Sequence, residues 1–245
     1  MITPRNKEVL YLFTQFVEKL SVRELAGMID HTLLKPEADL KLLDKYIEDT
    51  RRYGFKLLMI PLSLVEYVRE VAGRTIDVGV VVGFPLGNTS TRVKIAEAVE
   101  AVEQGASEID MVMNINLFKS RNYEYVKRDI RGIVEAARSK GARAVKVIIE
   151  TGLLSDEEKR KATELVVEAG ADFVKTCTGF LGSVATVHDV DILYKAASGK
   201  IGVKASGGIR RGLDALALIA AGASRIGTSS GDKIIEDFIR IKEGK

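Results

Sequence analysis

The 245-residue sequence contains a single cysteine, two histidines, four prolines and no tryptophan. One cysteine cannot form an internal disulfide, and two histidines without partnering cysteines argue against a structural zinc site. We also expect no signal peptide, and no apolar run approaches the roughly 20 residues that a membrane-spanning helix needs. These absences disfavour a disulfide-rich secreted scaffold, a zinc domain and a membrane protein, so we expect a cytoplasmic enzyme with no membrane partner.

Charge is balanced rather than one-sided. The chain has 37 lysines and arginines against 34 acidic residues, a formal charge of +3, and the basic residues are spread along its length. This distribution predicts no nucleic-acid partner, although a local pocket for a small anion remains possible. With 46% apolar residues the chain can bury one large core.

A unit recurs along the chain: an amphipathic stretch, then a glycine, then a short run rich in β-branched residues. Glycine adopts the left-handed conformation that ends a helix, after which the chain enters a strand. The eight glycines are Gly27, Gly54, Gly73, Gly105, Gly141, Gly170, Gly199 and Gly222. The runs that follow them are almost continuously apolar, which is typical of a parallel sheet covered on its outer face.

The segments between these runs read as helices, among them STRVKIAEAVEAVEQ and SDEEKRKATELVVEA. The second begins at Ser155 and has Glu158 three residues later, the pattern of a capping box. Eight such units without a linker predict a single (βα)8 barrel, the TIM barrel, over residues 23–245, with an open doubly wound sheet as the alternative. Residues 1–22 are predicted to form an extra amphipathic helix that covers the bottom or the flank of the barrel.

Four consecutive strands carry a charged residue five positions after their glycine: Asp110, Lys146, Lys175 and Lys204. Lysine and aspartate are rarely buried without a partner, and each of these lies in an apolar strand. One interpretation is a set of interior salt bridges that only fills the barrel. The other is a reactive amine: a second ammonium about 5 Å away, at an effective dielectric near 20, lowers a lysine pKa by about two units. Lys175 beside Lys204 would then be suited to form a Schiff base.

Two glycine-rich segments indicate an anion site. SGGIRRG (206–212) follows the seventh strand, and GTSSG (227–231) joins the eighth strand to the last helix. Loops after strands seven and eight, together with a helix N-terminus, form the usual phosphate site of this fold. Glycines let backbone N–H groups approach phosphate oxygens, and Ser229 or Ser230 can donate as well.

Together these segments resemble the deoxyribose-phosphate aldolases, a family of class I aldolases. The matching stretches are IDHTLLKP, VVGFPLG, EIDMVMNI, KVIIET, EAGADFVKTCTGF, VKASGGIR and RIGTSSG. The resemblance implies that Lys175 forms the Schiff base, and that Lys204 and Asp110 donate and accept protons. It also implies a supporting network and phosphate contacts, for which the residues are Asp30, Thr32, Lys146 and Thr178, and then Gly179, Gly207, Gly208, Gly227 and Ser230.

The resemblance further implies reversible cleavage of 2-deoxy-D-ribose 5-phosphate to D-glyceraldehyde 3-phosphate and acetaldehyde, as part of deoxyribonucleotide and carbohydrate breakdown. It implies no metal or other cofactor, small phosphosugar and aldehyde substrates, and a homo-oligomer, a dimer or larger. Another class I aldolase, a transaldolase-like enzyme and a non-catalytic phosphosugar-binding barrel stay open as alternatives.

The sequence departs from the family in the second strand, where FKLLMIPLSL replaces a segment in which many relatives carry a cysteine and an asparagine or tyrosine just before the match to Pro61. It also departs at the C-terminus, which lacks a tyrosine found in some relatives. Leu34 and Phe84 are candidates for an apolar wall around the acetaldehyde methyl, with packing in the core as the alternative. His31 is expected in the loop after the first strand, His188 on the surface of the helix after the sixth, and Cys177 as a packed residue without a catalytic role.

Overall fold

Eight parallel strands form a closed barrel in the computed structural model, which describes residues 13–244. Each strand pairs with the next along the chain, and the last pairs with the first. The strands are β1 (Ile29–Thr32), β2 (Leu57–Ile60), β3 (Val78–Val82), β4 (Glu108–Val112), β5 (Ala144–Ile148), β6 (Phe173–Lys175), β7 (Gly202–Ser206) and β8 (Arg225–Thr228). The predicted (βα)8 barrel is confirmed, and the open-sheet alternative is wrong.

Helices surround this barrel. They span Val22–Ala26, Leu40–Tyr53, Val65–Ala72, Thr91–Glu103, Ile115–Lys119, Tyr123–Ser139, Asp156–Glu168, Val187–Ala197, Gly212–Ala220 and Gly231–Lys242, with short 3-10 turns at Leu62–Leu64 and Thr151–Leu153. The capping box is present as predicted, because the Glu158 N–H donates to the Ser155 hydroxyl and the Ser155 N–H donates to the Glu158 carboxylate. No helix within residues 13–244 is long and apolar enough to cross a membrane.

The predicted N-terminal helix is described only in part. Residues 13–19 are helical, whereas the portion of the prediction before residue 13 lies outside the described residues. Val17 and Leu20 are buried, and the Lys242 ammonium donates to the carbonyls of Glu18 and Leu20. The described portion therefore packs against the last helix. The division into an extension and a barrel domain stays a prediction.

The glycine pattern holds at seven of the eight predicted positions. Gly54, Gly73, Gly105, Gly141, Gly170, Gly199 and Gly222 all have positive φ. The prediction is wrong at Gly27, which has φ −64°. Its N–H donates to the carbonyl of Arg23 in the short preceding helix, so the chain enters β1 from a right-handed turn and needs no left-handed residue.

The interior of the barrel has an apolar half and a charged half. Paired residues of neighbouring parallel strands point to the same side of the sheet, so the strand register identifies the inward side chains. β2 and β3 contribute Leu57, Met59 and Val81, against which Leu34 and Phe84 pack. Leu34 and Phe84 thus pack against the apolar half, to which the second-strand segment FKLLMIPLSL contributes Leu57 and Met59. Their role as an apolar wall for a substrate stays a prediction. The remaining strands supply the charges.

Candidate active site

The predicted charges occupy two levels of the barrel rather than one. Asp110 pairs with Lys146, and Lys175 pairs with Lys204. However, Lys146 pairs with Phe173, so Lys175 lies two residues further toward the C-terminal end of the strands. The expectation of a single level is corrected by the stagger of neighbouring strands in a closed barrel. The lower lysine and the upper lysine consequently have different neighbours.

Asp110 joins all three lysines. Its Oδ1 accepts from Lys146 Nζ at 2.8 Å, while its Oδ2 accepts from Lys175 Nζ at 2.7 Å and from Lys204 Nζ at 2.6 Å. Lys175 and Lys204 therefore contact the same carboxylate oxygen, which confirms that the two amines lie close together. All four side chains are buried.

Three more charged residues complete the group. Asp30 accepts from Lys204 Nζ at 2.5 Å and, through its other oxygen, from Arg225 Nη1 at 2.8 Å. Glu108 lies within 2.7 Å of Lys146 Nζ and accepts from Arg225 Nη1 at 3.1 Å. We call these residues the interior charge cluster: Asp30, Glu108, Asp110, Lys146, Lys175, Lys204 and Arg225.

The surroundings of Lys175 disfavour its charged form. Burial lowers the pKa of Lys175 from 10.5 to about 8, and the Lys204 and Lys146 ammonium groups act in the same direction, while Asp110 opposes them. The direction agrees with the sequence-based prediction, but burial rather than Lys204 is the largest cause. About one molecule in ten then has a neutral amine at pH 7, compared with a few in ten thousand for an ordinary lysine.

Lys146 and Asp110 show the opposite effect. Burial disfavours their charged forms, yet the Asp110, Asp30 and Glu108 carboxylates raise the pKa of Lys146 above its ordinary value. Likewise the three lysine ammonium groups outweigh burial and hold the pKa of Asp110 well below its usual range. Lys146 and Asp110 are therefore a fixed cation and a fixed anion near neutral pH.

A cavity of about 380 Å³ opens above the cluster at the C-terminal end of the strands. Lys175 is the member of the cluster that reaches its lining, although only 3% of the residue is exposed. Thr32 and Thr178, predicted as supporting residues, line the cavity too, whereas Asp30, Asp110, Lys146 and Lys204 lie beneath its floor. The further lining residues include Leu34, Lys35, Phe180, Ser206, Gly207, Gly208, Arg210, Gly227 and Ser229.

Glycine is required on the wall formed by the loop after β7. Gly207 and Gly208 have φ of +101° and +75°, and a Cβ on Gly208 would lie 2.7 Å from the Val184 side chain. This tight turn exposes backbone to the cavity, and Arg210 lines the same cavity. Consecutive glycines beside a cation form a suitable surface for a small anion.

The loop after β8 supplies the neighbouring wall. Gly227 and Ser229 line the cavity, while Ser230 precedes the last helix and its N–H already donates to Thr228 Oγ1 at 2.9 Å. The carbonyl of Ser229 accepts from Tyr46 Oη at 2.8 Å, which ties this loop to the helix after β1. One cavity is thus lined by most of the predicted phosphate residues, Gly179, Gly207, Gly208, Gly227 and Ser229, whereas Ser230 is not part of its lining.

The wall after β6 is held by a buried glutamate. Glu150 Oε2 accepts from the Thr178 N–H at 2.9 Å, and Thr178 Oγ1 accepts in turn from the Phe180 N–H at 3.2 Å. Glu150 has a left-handed backbone with φ of 55°. A non-glycine residue in this conformation is strained and is maintained by its surroundings. Thr178 therefore contacts the wall of the site rather than the charge cluster.

The remaining candidates have structural surroundings. His31 lies in β1, not in the following loop as expected. Its side chain points outward from the barrel and stacks on Tyr46 with ring centroids 4.1 Å apart. Burial lowers the pKa of His31 to about 4, so the ring is neutral. Cys177 is fully buried, and burial raises the pKa of its thiol. His188 is exposed, as predicted, and contacts Asp156 at 2.8 Å.

Sequence reasoning missed Glu108, Arg225 and Tyr46. The first two could have been found from strand alternation, since Glu108 lies two residues before Asp110 and Arg225 two before Gly227, on the same inward face. Tyr46 has no such signal, because its contact with Ser229 joins residues 183 positions apart in the sequence.

Comparisons with known proteins identify the family of the chain. The model of the DeoC/LacD family aldolases matches residues 42–236. A deoxyribose-phosphate aldolase from Caldanaerobacter subterraneus is 52% identical over 219 residues, which cover 89% of this chain and 95% of that protein. A second, from Thermococcus gammatolerans, is 51% identical over 216 residues, covering 87% of this chain and 96% of the relative.

Solved structures give the same result. A tetrameric deoxyribose phosphate aldolase from Aeropyrum pernix superimposes with a TM-score of 0.87 at 36% identity, covering 94% of this chain and 97% of the other. An aldolase designated QR15 superimposes with a TM-score of 0.83 at 41% identity, covering 88% and 96% of the two chains.

Proposed function

The chain belongs to the DeoC/LacD family of aldolases and is an aldolase; from this premise we propose that it cleaves 2-deoxy-D-ribose 5-phosphate reversibly through a Schiff base on Lys175. One observation carries the proposal. Lys175, whose pKa is lowered to about 8, lies at the floor of a cavity whose walls include glycine turns and Arg210. The amine and the anion-binding wall can thus hold the two ends of one short phosphosugar.

The first half of the reaction forms the iminium. The neutral amine of Lys175 attacks the C1 aldehyde, and loss of water leaves a protonated imine that withdraws electrons from the C2–C3 bond. A base removes the proton of the C3 hydroxyl, the C2–C3 bond breaks, and its electrons form an enamine on Lys175. D-Glyceraldehyde 3-phosphate leaves.

The second half returns the enzyme. Protonation of the enamine at C2 regenerates an iminium, and water hydrolyses it to acetaldehyde and free Lys175. We assign this proton transfer to Lys204 and Asp110, acting through a water. Because the pKa of Asp110 is held well below its usual range, Asp110 would carry a proton only transiently, and the Lys204 ammonium would be the donor.

The other end of the substrate is proposed to bind the glycine wall. Gly179, Gly207, Gly208, Gly227 and Ser229 would contact the phosphate, with Arg210 supplying a positive charge. Leu34 and Phe84 would face the acetaldehyde portion, since they continue the apolar half of the barrel interior. Asp30, Thr32, Lys146 and Thr178 would support these groups from below and from the wall.

We also propose a cytoplasmic homo-oligomer. The tetramer described for the Aeropyrum pernix relative supports assembly, but the number of subunits is open. Mass measurement of the native protein over a range of micromolar concentrations gives this number. A monomer at every concentration in the range contradicts the proposal.

Borohydride trapping tests the function. Reduction in the presence of deoxyribose 5-phosphate should add the reduced substrate or an ethyl group to the peptide that contains Lys175, and the Lys175→Met variant should lose both the adduct and turnover. Lys204→Leu serves as the companion, because it retains the nucleophile and should lose roughly 10²- to 10⁴-fold in rate while still being trapped slowly.

An adduct on Lys204 in place of Lys175, or full turnover by Lys175→Met, refutes the assignment. Tight binding without turnover indicates a binding protein instead. Pyruvate or dihydroxyacetone replacing acetaldehyde as the better donor indicates a different aldolase.

A further inference from the structure

Glu108 and Arg225 belong to the interior charge cluster but have no direct contact with Lys175 in the described structure. Arg225 Nη1 connects β1 and β4 by binding Asp30 and Glu108. The Arg225 guanidinium also lies over the Phe173 ring, 5.2 Å from its centroid. Glu108 in turn contacts Lys146. Both residues are buried below the level of the cavity, where they cannot meet a substrate.

The cluster has an uneven charge count. Its carboxylates are Asp30, Glu108 and Asp110, and its cations besides Lys175 are Lys146, Lys204 and Arg225. These three anions and three cations balance one another without Lys175. A protonated Lys175 therefore adds an excess positive charge to a buried group, whereas a neutral Lys175 leaves the group uncharged. Excess charge in a desolvated region is disfavoured.

We propose that Glu108 and Arg225 act as positioning residues that set the charge state of Lys175 by fixing the net charge of the cluster beneath it. This inference extends the proposed function, because the neutral amine matters only if Lys175 is the nucleophile. Arg225 favours the neutral form of Lys175, because it is the third cation of the cluster beside Lys146 and Lys204. Glu108 favours the protonated form of Lys175, because it is the third carboxylate of the cluster beside Asp30 and Asp110.

The other groups around Lys175 lie outside the cluster. β2 and β3 face the interior with Leu57, Met59, Gly79 and Val81. Beyond the upper end of β5, the buried Glu150 accepts from the Thr178 N–H and makes no ion pair with the cluster among the described residues. The charged residues on the lining of the cavity, Lys35, Glu37 and Arg210, are solvent-exposed and thus screened by water.

The proposal predicts opposite shifts for the two residues. A unit charge roughly 10 Å away, at an effective dielectric near 20, changes a protonation equilibrium by roughly tenfold, or about one pH unit in its midpoint. Glu108→Gln removes an anion, so Lys175 should lose its proton at lower pH than in the wild type. Arg225→Met removes a cation, so Lys175 should keep its proton to higher pH. The double variant restores the balance and should titrate close to the wild type.

The titration is measured without relying on turnover. Each variant is treated at a series of pH values with a small amine-acylating reagent in limiting amount, and mass spectrometry follows acylation of the Lys175 peptide. The acid limb of kcat/KM for deoxyribose 5-phosphate should move in the same direction. Arg225→Lys retains the charge and should keep the wild-type midpoint, which separates charge from packing.

Asp129→Asn is the matched control. Asp129 is also buried, in an ion pair with Lys94 at 2.8 Å, but both residues lie on the helices outside the barrel interior. Its removal changes the charge by the same amount as Glu108→Gln. It should lower the melting temperature while the Lys175 midpoint stays in place.

Unchanged midpoints in folded Glu108→Gln and Arg225→Met, or shifts of the same sign, overturn the inference. If Arg225→Met does not fold, Glu108→Gln, the double variant and Arg225→Lys decide it. Midpoints that shift as predicted in a protein that forms no substrate adduct leave the charge balance standing and refute the proposed function instead. An adduct on Lys175 with unshifted midpoints supports the proposed function and refutes the role of Glu108 and Arg225.

Discussion

The lower and upper levels of the barrel interior treat a buried lysine in opposite ways. At the lower level Lys146 lies within 2.8 Å of Asp110 and 2.7 Å of Glu108, with Asp30 at 3.8 Å. At the upper level Asp110 is the one carboxylate within residues 13–244 that pairs with Lys175, and Lys175 shares that carboxylate oxygen with Lys204. Both lysines are desolvated, so the number of carboxylates decides the result. The pKa of Lys146 is raised and that of Lys175 is lowered to about 8.

This difference separates a structural ion pair from a reactive group. An ammonium among several carboxylates is a stable part of the core, and removing it leaves buried anions without a partner. An ammonium that shares one carboxylate with a second cation is held at a cost in stability. Residues of that kind recur at functional sites, where stability is lower than the fold could provide.

The same substitution at the two levels should have opposite effects on stability. Lys146→Met should lower the free energy of unfolding by about 3–5 kcal/mol, because Asp110 and Glu108 lose their shared cation. Lys175→Met at pH 7 should leave it unchanged or raise it by up to about 3 kcal/mol, the equivalent of a pKa depressed from 10.5 to about 8. Urea denaturation of both variants and the wild type measures the difference.

The sign follows from proton linkage. Between pH 8 and 10.5 the unfolded chain keeps the Lys175 proton that the folded protein has lost, so wild-type stability from this residue rises with pH in that window. Any advantage of Lys175→Met should therefore shrink between pH 8 and 10. A large destabilisation by Lys175→Met at pH 7, similar to that of Lys146→Met, contradicts the comparison of the two levels.

The rate of cleavage should sharpen the same comparison. If the neutral amine of Lys175 attacks the substrate, kcat/KM should rise about tenfold per pH unit below pH 8 and level off above it. Lys146 stays protonated across this range and should add no second limb. Initial rates from pH 6 to 9.5 give the profile, with melting curves at each pH as the control. A profile that is flat between pH 6 and 8 removes the link between the depressed pKa and turnover.

Much of this arrangement could be predicted from the sequence. The repeated helix, glycine and apolar strand identified the barrel, and the charges in EIDMV, AVKVI, FVKTC and GVKAS identified the strands of the site. Their levels could not be predicted, because counting from a glycine ignores the stagger of barrel strands. Local patterns therefore placed Asp110, Lys175 and Lys204 together but did not separate Lys146 from Lys175.

Contacts between distant parts of the chain were also beyond sequence reasoning. Arg225 binds Asp30, 195 positions earlier, and this pairing depends on closure of the barrel between β8 and β1. The sequence predicts His31 in a loop, because the residues Asp30, His31 and Thr32 do not by themselves show where β1 ends. Its stacking on Tyr46 depends on how the following helix packs against the strand.

The smallest expected effect concerns the wall of the cavity far from the charges. Tyr46→Phe removes the hydrogen bond to the Ser229 carbonyl while keeping the ring that stacks on His31. One neutral hydrogen bond contributes about 0.5–1.5 kcal/mol, so KM for the phosphorylated substrate should rise roughly two- to tenfold with little change in kcat. Unphosphorylated deoxyribose should show no such change.

Tyr53→Phe is the matched control, since Tyr53 lies on the same helix and its hydroxyl donates to exposed Glu236 rather than to the loop after β8. It should leave both constants unaltered. An equal loss with phosphorylated and unphosphorylated sugar in Tyr46→Phe assigns the tyrosine to the fold in general. A loss confined to the phosphorylated sugar assigns it to the loop that carries Ser229, and separates the anion-binding wall from the level that holds Lys175.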